Sequence, residues 1–145
     1  PENEETLSYS DARSQRRLSP LGERQALDMK AEFARLKIPV SEVIASPMER
    51  AARMAHLMFG QAILDSLWHT RGSNYGARRA ARLQVLARPA GTGNRVIVSH
   101  VGTLGSVIAY KGSWQEGACV VLRPTGTSHE VIGLVTAEGW RSAGR

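Results

Sequence analysis

The stretch Arg95-Val96-Ile97-Val98-Ser99-His100-Val101-Gly102 decides the fold. Its apolar residues run on without alternation, the pattern of a parallel strand covered on both faces. A strand over 95–99 therefore ends at His100, and a short helix from Gly102 to Tyr110 is expected to follow. The same logic occurs earlier in the chain. Glu42-Val43-Ile44-Ala45 is a short strand, and Ser46-Pro47 is a helix start with Ser as N-cap and Pro at the first position. Arg50 then falls in the first helical turn, where the helix dipole disfavours a cation unless an anion is close. Open α/β sheets bind ligands outside the carboxyl ends of their strands. An arginine and a histidine aimed there, each beside a helix amino terminus, suit a phosphate group.

Outward from these two junctions, Ser19-Pro20 starts another helix, and Ala26, Met29, Phe33 and Leu36 give it one apolar face. Ile38-Pro39 stops it. Met48, Ala51, Ala52, Ala55 and Phe59 form the stripe of the next helix, which Gly60 closes. Residues 61–74 carry no strong pattern and are expected to be irregular or weakly helical, while Ala77 to Leu86 is a basic helix and 89–94 a loop. Ala118 to Leu122 and Val131 to Val135 are strands joined by a turn at Pro124-Thr125-Gly126. So short a link makes the pair antiparallel. Residues 1–17 are polar and loop-like. Alternating helices and strands predict a three-layer α/β/α sandwich with a mostly parallel sheet, as one domain over 1–145.

Composition agrees: 42% of the residues are hydrophobic and 22% charged, ordinary for a globular protein. No apolar run is long enough to span a membrane as a helix, so no membrane partner is expected. The acidic start, Pro1-Glu2-Asn3-Glu4-Glu5, is neither a signal peptide nor a translation start, so a processed or cropped amino end is expected. Cys119 is the only cysteine, which leaves no intrachain disulfide; its apolar neighbours Val120, Val121 and Leu122 predict a buried thiol. No cluster has metal-ligand spacing, and Gly91-Thr92-Gly93 precedes a strand rather than a helix, so no metal or cofactor is expected.

The net charge is +6. The basic residues are spread out except for Arg13, Arg16 and Arg17, and for Arg78, Arg79, Arg82 and Arg88. Aromatics make up 6% and do not interleave with them as base-stacking platforms would. A basic surface around an anionic-substrate pocket is favoured over a nucleic-acid partner.

Three segments together resemble the histidine phosphatase superfamily, the phosphoglycerate mutase-like enzymes. They are Arg16-Arg17-Leu18-Ser19-Pro20-Leu21-Gly22-Glu23-Arg24-Gln25-Ala26, Ala45-Ser46-Pro47-Met48-Glu49-Arg50-Ala51 and Val98-Ser99-His100-Val101-Gly102. Their order and spacing match the family over most of the chain. The ending, from Glu116-Gly117 through Leu122-Arg123-Pro124 to Glu138-Gly139-Trp140, resembles a bacterial branch, several members of which are exported. Either a periplasmic or a cytoplasmic location fits.

The resemblance implies a phosphomonoester hydrolase that acts through a phosphohistidine, on a phosphorylated small molecule or phosphate. Arg50 corresponds to the second arginine of the phosphate clamp and His100 to its second histidine. Glu116 stands in the loop where a carboxyl would protonate the leaving oxygen, and Arg16 where it would reach a substrate anion. A guanidinium fork and an imidazolium both supply the positive charge that a phosphoryl group in transfer needs.

In the family the nucleophilic histidine stands in an Arg-His-Gly strand, inside the sheet between the strand ending at His100 and the later antiparallel strand. No Arg-His pair occurs in these 145 residues, so that strand is expected upstream of Pro1. Without it, little turnover and self-association through the open strand edge are expected. The alternative is a non-catalytic phosphate-binding or interaction domain of the same fold. His56, His69 and His129 match no catalytic motif and are expected to be structural or exposed.

Overall fold

The structure, a computed structural model, describes residues 15–70, 74–110 and 112–142. The polar segment 1–14 with Arg13, and residues 71–73, 111 and 143–145, lie outside the described residues. The elements in chain order are α1 (Pro20–Arg35), β1 (Val40–Ala45), α2 (Glu49–Phe59), β2 (Ile63–Leu64), a 3-10 turn (Ser66–Trp68) and α3 (Tyr75–Ala87). There follow β3 (Asn94–Val98), α4 (Val101–Gly105), β4 (Cys119–Pro124), β5 (His129–Val135) and α5 (Ala137–Ser142).

β1 lies between β2 and β3, and all three are parallel. β4 and β5 form a separate antiparallel hairpin. Two apolar clusters cover opposite faces. Ala26, Met29, Met58 and Trp140 gather α1, α2 and α5 on one side. Ile44, Trp68, Leu86, Val107 and Ile108 gather the 3-10 turn, α3 and the segment after α4 on the other. Cys119 packs on the first cluster and its neighbour Val120 on the second, as successive strand residues must. The chain is thus an α/β sandwich with a mostly parallel sheet.

Local chemistry accounts for most element ends. The Ser19 hydroxyl accepts from the Gly22 amide at 3.1 Å and caps α1, with Pro20 as its first residue. Gly60 closes α2 at φ +79°, a conformation that a side chain disfavours. Arg95 faces Glu42 across the β1–β3 ladder and pairs with it. The same guanidinium donates to the carbonyls of Val85 and Arg88 at 3.0 and 2.8 Å, which satisfies the carboxyl end of α3.

Several expectations need correction. Ser46 is not the N-cap of α2: Met48 is, and the helix begins at Glu49. The Ser46 hydroxyl is engaged elsewhere, as described below. The expected helix over 102–110 stops at Gly105. Beyond it Val107 and Ile108 turn into the core at 6% and 4% exposure. The hairpin turn lies after Pro124, which is still in β4; the Thr125 amide donates to the Ser128 carbonyl at 2.9 Å. Residues 61–70 contain β2 and the 3-10 turn, and α5 follows β5; the patterning showed none of the three. Finally, the unbroken apolar run of β3 predicts cover on both faces, yet Val96, Ile97 and Val98 are only half-buried. Among the described residues β3 is laddered on one side only, to β1.

Candidate functional site

β1 and β3 run side by side in register from Val43/Val96 to Ala45/Val98, so their carboxyl ends finish together. The Ser46 amide extends this ladder by one bond, donating to the Val98 carbonyl at 2.9 Å. Two residues past the end of β3 the chain places His100, the N-cap residue of α4, at 8% exposure. From the first turn of α2, Arg50 reaches across to it, and its Nη2 lies 3.0 Å from His100 Nδ1. The two side chains sequence analysis singled out are therefore in direct contact at the carboxyl edge of the sheet.

The far side of the His100 ring is also held. Its Nε2 lies 2.9 Å from the hydroxyl of Ser46, which is wholly buried. That hydroxyl also accepts from the Met48 amide at 3.3 Å. Residue 46 thus ties the end of β1, the entry to α2 and the histidine together.

His69 was expected to be structural or exposed. It is buried at 2% exposure, and its ring stands edge-on to His100 with centroids 6.5 Å apart. Its Nε2 lies 3.1 Å from Met48 Sδ. The loop carrying it is pinned from behind. Arg82, itself 4% exposed, donates to the carbonyls of Leu67 and His69, and the Thr103 hydroxyl donates to the His69 carbonyl at 3.3 Å. His56 is exposed on α2 and His129 half-buried at the start of β5.

Arg16 and Glu116 stand at the mouth. Their closest charged atoms are 3.9 Å apart, and the side chains are 80% and 90% exposed, so they attract each other weakly and keep their conformational freedom. Both act on Arg50. Burial holds its guanidinium below the ordinary arginine range, the positive charge of Arg16 adds to that, and Glu116 opposes it. Arg50 stays charged all the same. His100 is pushed down from 6.5 to about 4, by burial first, then by Arg50 and His69. At neutral pH the site is two guanidiniums and a neutral imidazole facing one exposed carboxylate. An oxyanion settling on Arg50 would relieve the repulsion between the arginines.

No His, Cys, Asp or Glu cluster able to hold a metal ion is present among the described residues. Ser46 and His69 were not singled out as site residues. Ser46 lay within a quoted motif but carried a helix-start signal that explained it; His69 carried no signal in the linear sequence.

The chain thus has a mostly parallel sheet between helical layers, with an arginine–histidine pair at the carboxyl edge of that sheet. The structure of the protein histidine phosphatase SixA complexed with tungstate is similar to this chain, with a TM-score of 0.70. The likeness covers 88% of this chain and 87% of that one at 17% identity, and is one of fold. No protein-family model matches the chain, and no curated protein does.

Proposed function

We propose that this chain belongs to a phosphomonoester hydrolase that works through a phosphohistidine, with Arg50 and His100 holding the phosphoryl group. The observation that carries this reading is the 3.0 Å approach of Arg50 to His100 at the shared carboxyl end of β1 and β3. Negative charge in a transferring phosphoryl group spreads over its equatorial oxygens. The Arg50 fork takes two of them or one oxygen twice, and His100 takes another through Nδ1. Arg16 contacts the anionic side of the substrate, and the exposed Glu116 takes up a proton from solvent and passes it to the leaving oxygen. On this reading the nucleophilic histidine stands in an Arg-His-Gly strand beside β3, a motif that these 145 residues do not contain. The substrate is a phosphorylated small molecule.

Tungstate in the SixA structure is an oxyanion of phosphate's shape and supports an oxyanion pocket on this fold. The disposition of the arginines also supports a pocket over a nucleic-acid surface. Arg78, Arg79 and Arg82 each donate to backbone carbonyls, of Ser66, Ser106, and both Leu67 and His69.

The test is to incubate the full-length protein with a radiolabelled phosphomonoester. An acid-labile, alkali-stable label on the protein is expected. Arg50→Ala and His100→Ala should each cut turnover about 10²–10³-fold, the cost of removing one charged contact to the transition state. Phosphate binding without label or turnover would favour the non-catalytic reading instead.

A further inference from the structure

A guanidinium has only donors. Arg50 Nη2 therefore donates to His100 Nδ1, which must be the unprotonated nitrogen. A neutral imidazole carries one N–H, so Nε2 holds it and donates to the Ser46 hydroxyl 2.9 Å away. The second lone pair of that hydroxyl is filled by the Met48 amide. The ring is thus fixed in one tautomer, with Nδ1 turned to Arg50 and Nε2 turned into the protein.

We propose that Ser46 is a positioning residue for His100: by holding the Nε2 proton it makes Nδ1 the nitrogen that meets an incoming oxyanion, and anion binding takes up one proton there. This rests on the reading of the site as an oxyanion pocket. When an anion draws the Arg50 N–H groups away, Nδ1 loses its donor and turns a lone pair toward negative oxygens. That contact is repulsive until Nδ1 gains a proton from solvent. The resulting imidazolium donates twice, to the anion through Nδ1 and to Ser46 through Nε2. The groups facing the ring are Arg50 on α2, His69 at the end of the 3-10 turn, and Ser46 after β1; Arg16 and Glu116 act on it through Arg50. In the empty site burial and Arg50 already keep His100 neutral down to about pH 4. The anion reverses the sign of its surroundings.

Two measurements test this. Nitrogen-15 spectra of the anion-free chain at neutral pH should show His100 as the Nε2–H tautomer, and Ser46→Ala should give a tautomer mixture that Ser46→Thr restores. Calorimetry of sulfate binding, in buffers of different ionisation heat, should show uptake approaching one proton per sulfate; sulfate keeps its charge over this pH range. Ser46→Ala should lower both the uptake and the affinity, the latter by about tenfold, because the hydrogen bond it removes is stronger to the imidazolium of the bound state than to the neutral ring of the empty one. An Nδ1–H tautomer in the wild-type spectrum would overturn the role of Ser46 without needing any variant to fold. Sulfate binding with no proton uptake would overturn the coupling. Failure of sulfate to bind, with the Nε2–H tautomer intact, would overturn the coupling and the pocket reading while the positioning by Ser46 stands.

Discussion

Arg82 holds the backbone carbonyl of His69 at 2.9 Å from a helix that contributes no side chain to the candidate site. Its Nε takes the carbonyl of Leu67 at 2.7 Å as well. One buried fork therefore fixes both the loop and the imidazole that it presents to His100. Burial, and then the neighbouring Arg78, hold the Arg82 guanidinium below the ordinary arginine range, with Tyr75 opposing.

Replacing Arg82 by Leu should cost stability. The Leu67 carbonyl loses its side-chain donor and the His69 carbonyl keeps only Thr103, a loss of about 1–3 kcal/mol. Chemical denaturation of Arg82→Leu would measure it. Arg82→Lys should recover only part, because an ammonium lacks the planar fork. An unchanged midpoint for Arg82→Leu would mean the loop is held without it.

Arg50 and Arg16 should separate binding from folding. Arg50→Ala removes a partly desolvated cation that Arg16 repels, so the melting temperature should not fall, while sulfate or phosphate affinity should drop about 10–100-fold, the worth of a charged hydrogen bond. Arg16→Ala breaks only an exposed pair and should leave the melting temperature in place. Its effect on anion affinity should be a few-fold and fade with added salt. Titration calorimetry and thermal melting of both variants check this.

The pH dependence of stability follows from His100. Its folded value near 4 lies below the ordinary 6.5. Between these values the unfolded chain binds a proton there that the folded chain does not, so stability rises with pH across this window. Acidification from about 6.5 to about 4 should lower the melting temperature, with no further loss from this group below that window. His100→Gln, which does not titrate, should flatten that part of the profile. A wild-type profile with no slope there would place His100 in a more exposed setting. Saturating sulfate should oppose the acid loss if the anion binds the protonated form.

Gly60→Ala should destabilise α2 by about 1–2 kcal/mol, the cost of a left-handed conformation for a residue with a side chain. No atom lies within 4 Å of the added methyl group, so the cost is purely conformational. A much larger loss by denaturant titration would point to a contact instead.

The fold was legible where apolar residues run or recur at helical spacing. β1, β3 and the hairpin strands were found to within two or three residues, and so were α1, α2 and α3. What escaped was short. β2 is two residues, Ile63 and Leu64, both exposed, so no burial pattern marks it. α5 is six residues and buries one large side chain, Trp140. In the site, Arg50 and His100 stood out because each falls at a strand-to-helix junction. Ser46 was assigned to a cap because a Ser-Pro pair satisfies that rule by itself; its actual partner, His100, is distant in sequence. Arg82 read as one charge in a basic helix, and only tertiary packing turns it inward. Cys119 was expected to be buried and is half-buried; its apolar surroundings push the thiol up to about 11, so it is a poor nucleophile at neutral pH.

The separation of the two sheets has a consequence for how the molecule opens. Among the described residues no ladder joins β3 to β4. The hairpin is held by Val120 and Leu122 in one apolar cluster, by Cys119 and Val135 in the other, and by a hydrogen bond that the Gly126 amide donates to the Ala87 carbonyl. Side-chain packing can be released without breaking the parallel ladder. Native-state hydrogen exchange should then sort the amides into two groups, with β4 and β5 losing protection together and before β1 and β3. The edge that carries Arg50 and His100 stands on the slower group, so the candidate site can keep its geometry while the hairpin detaches and returns.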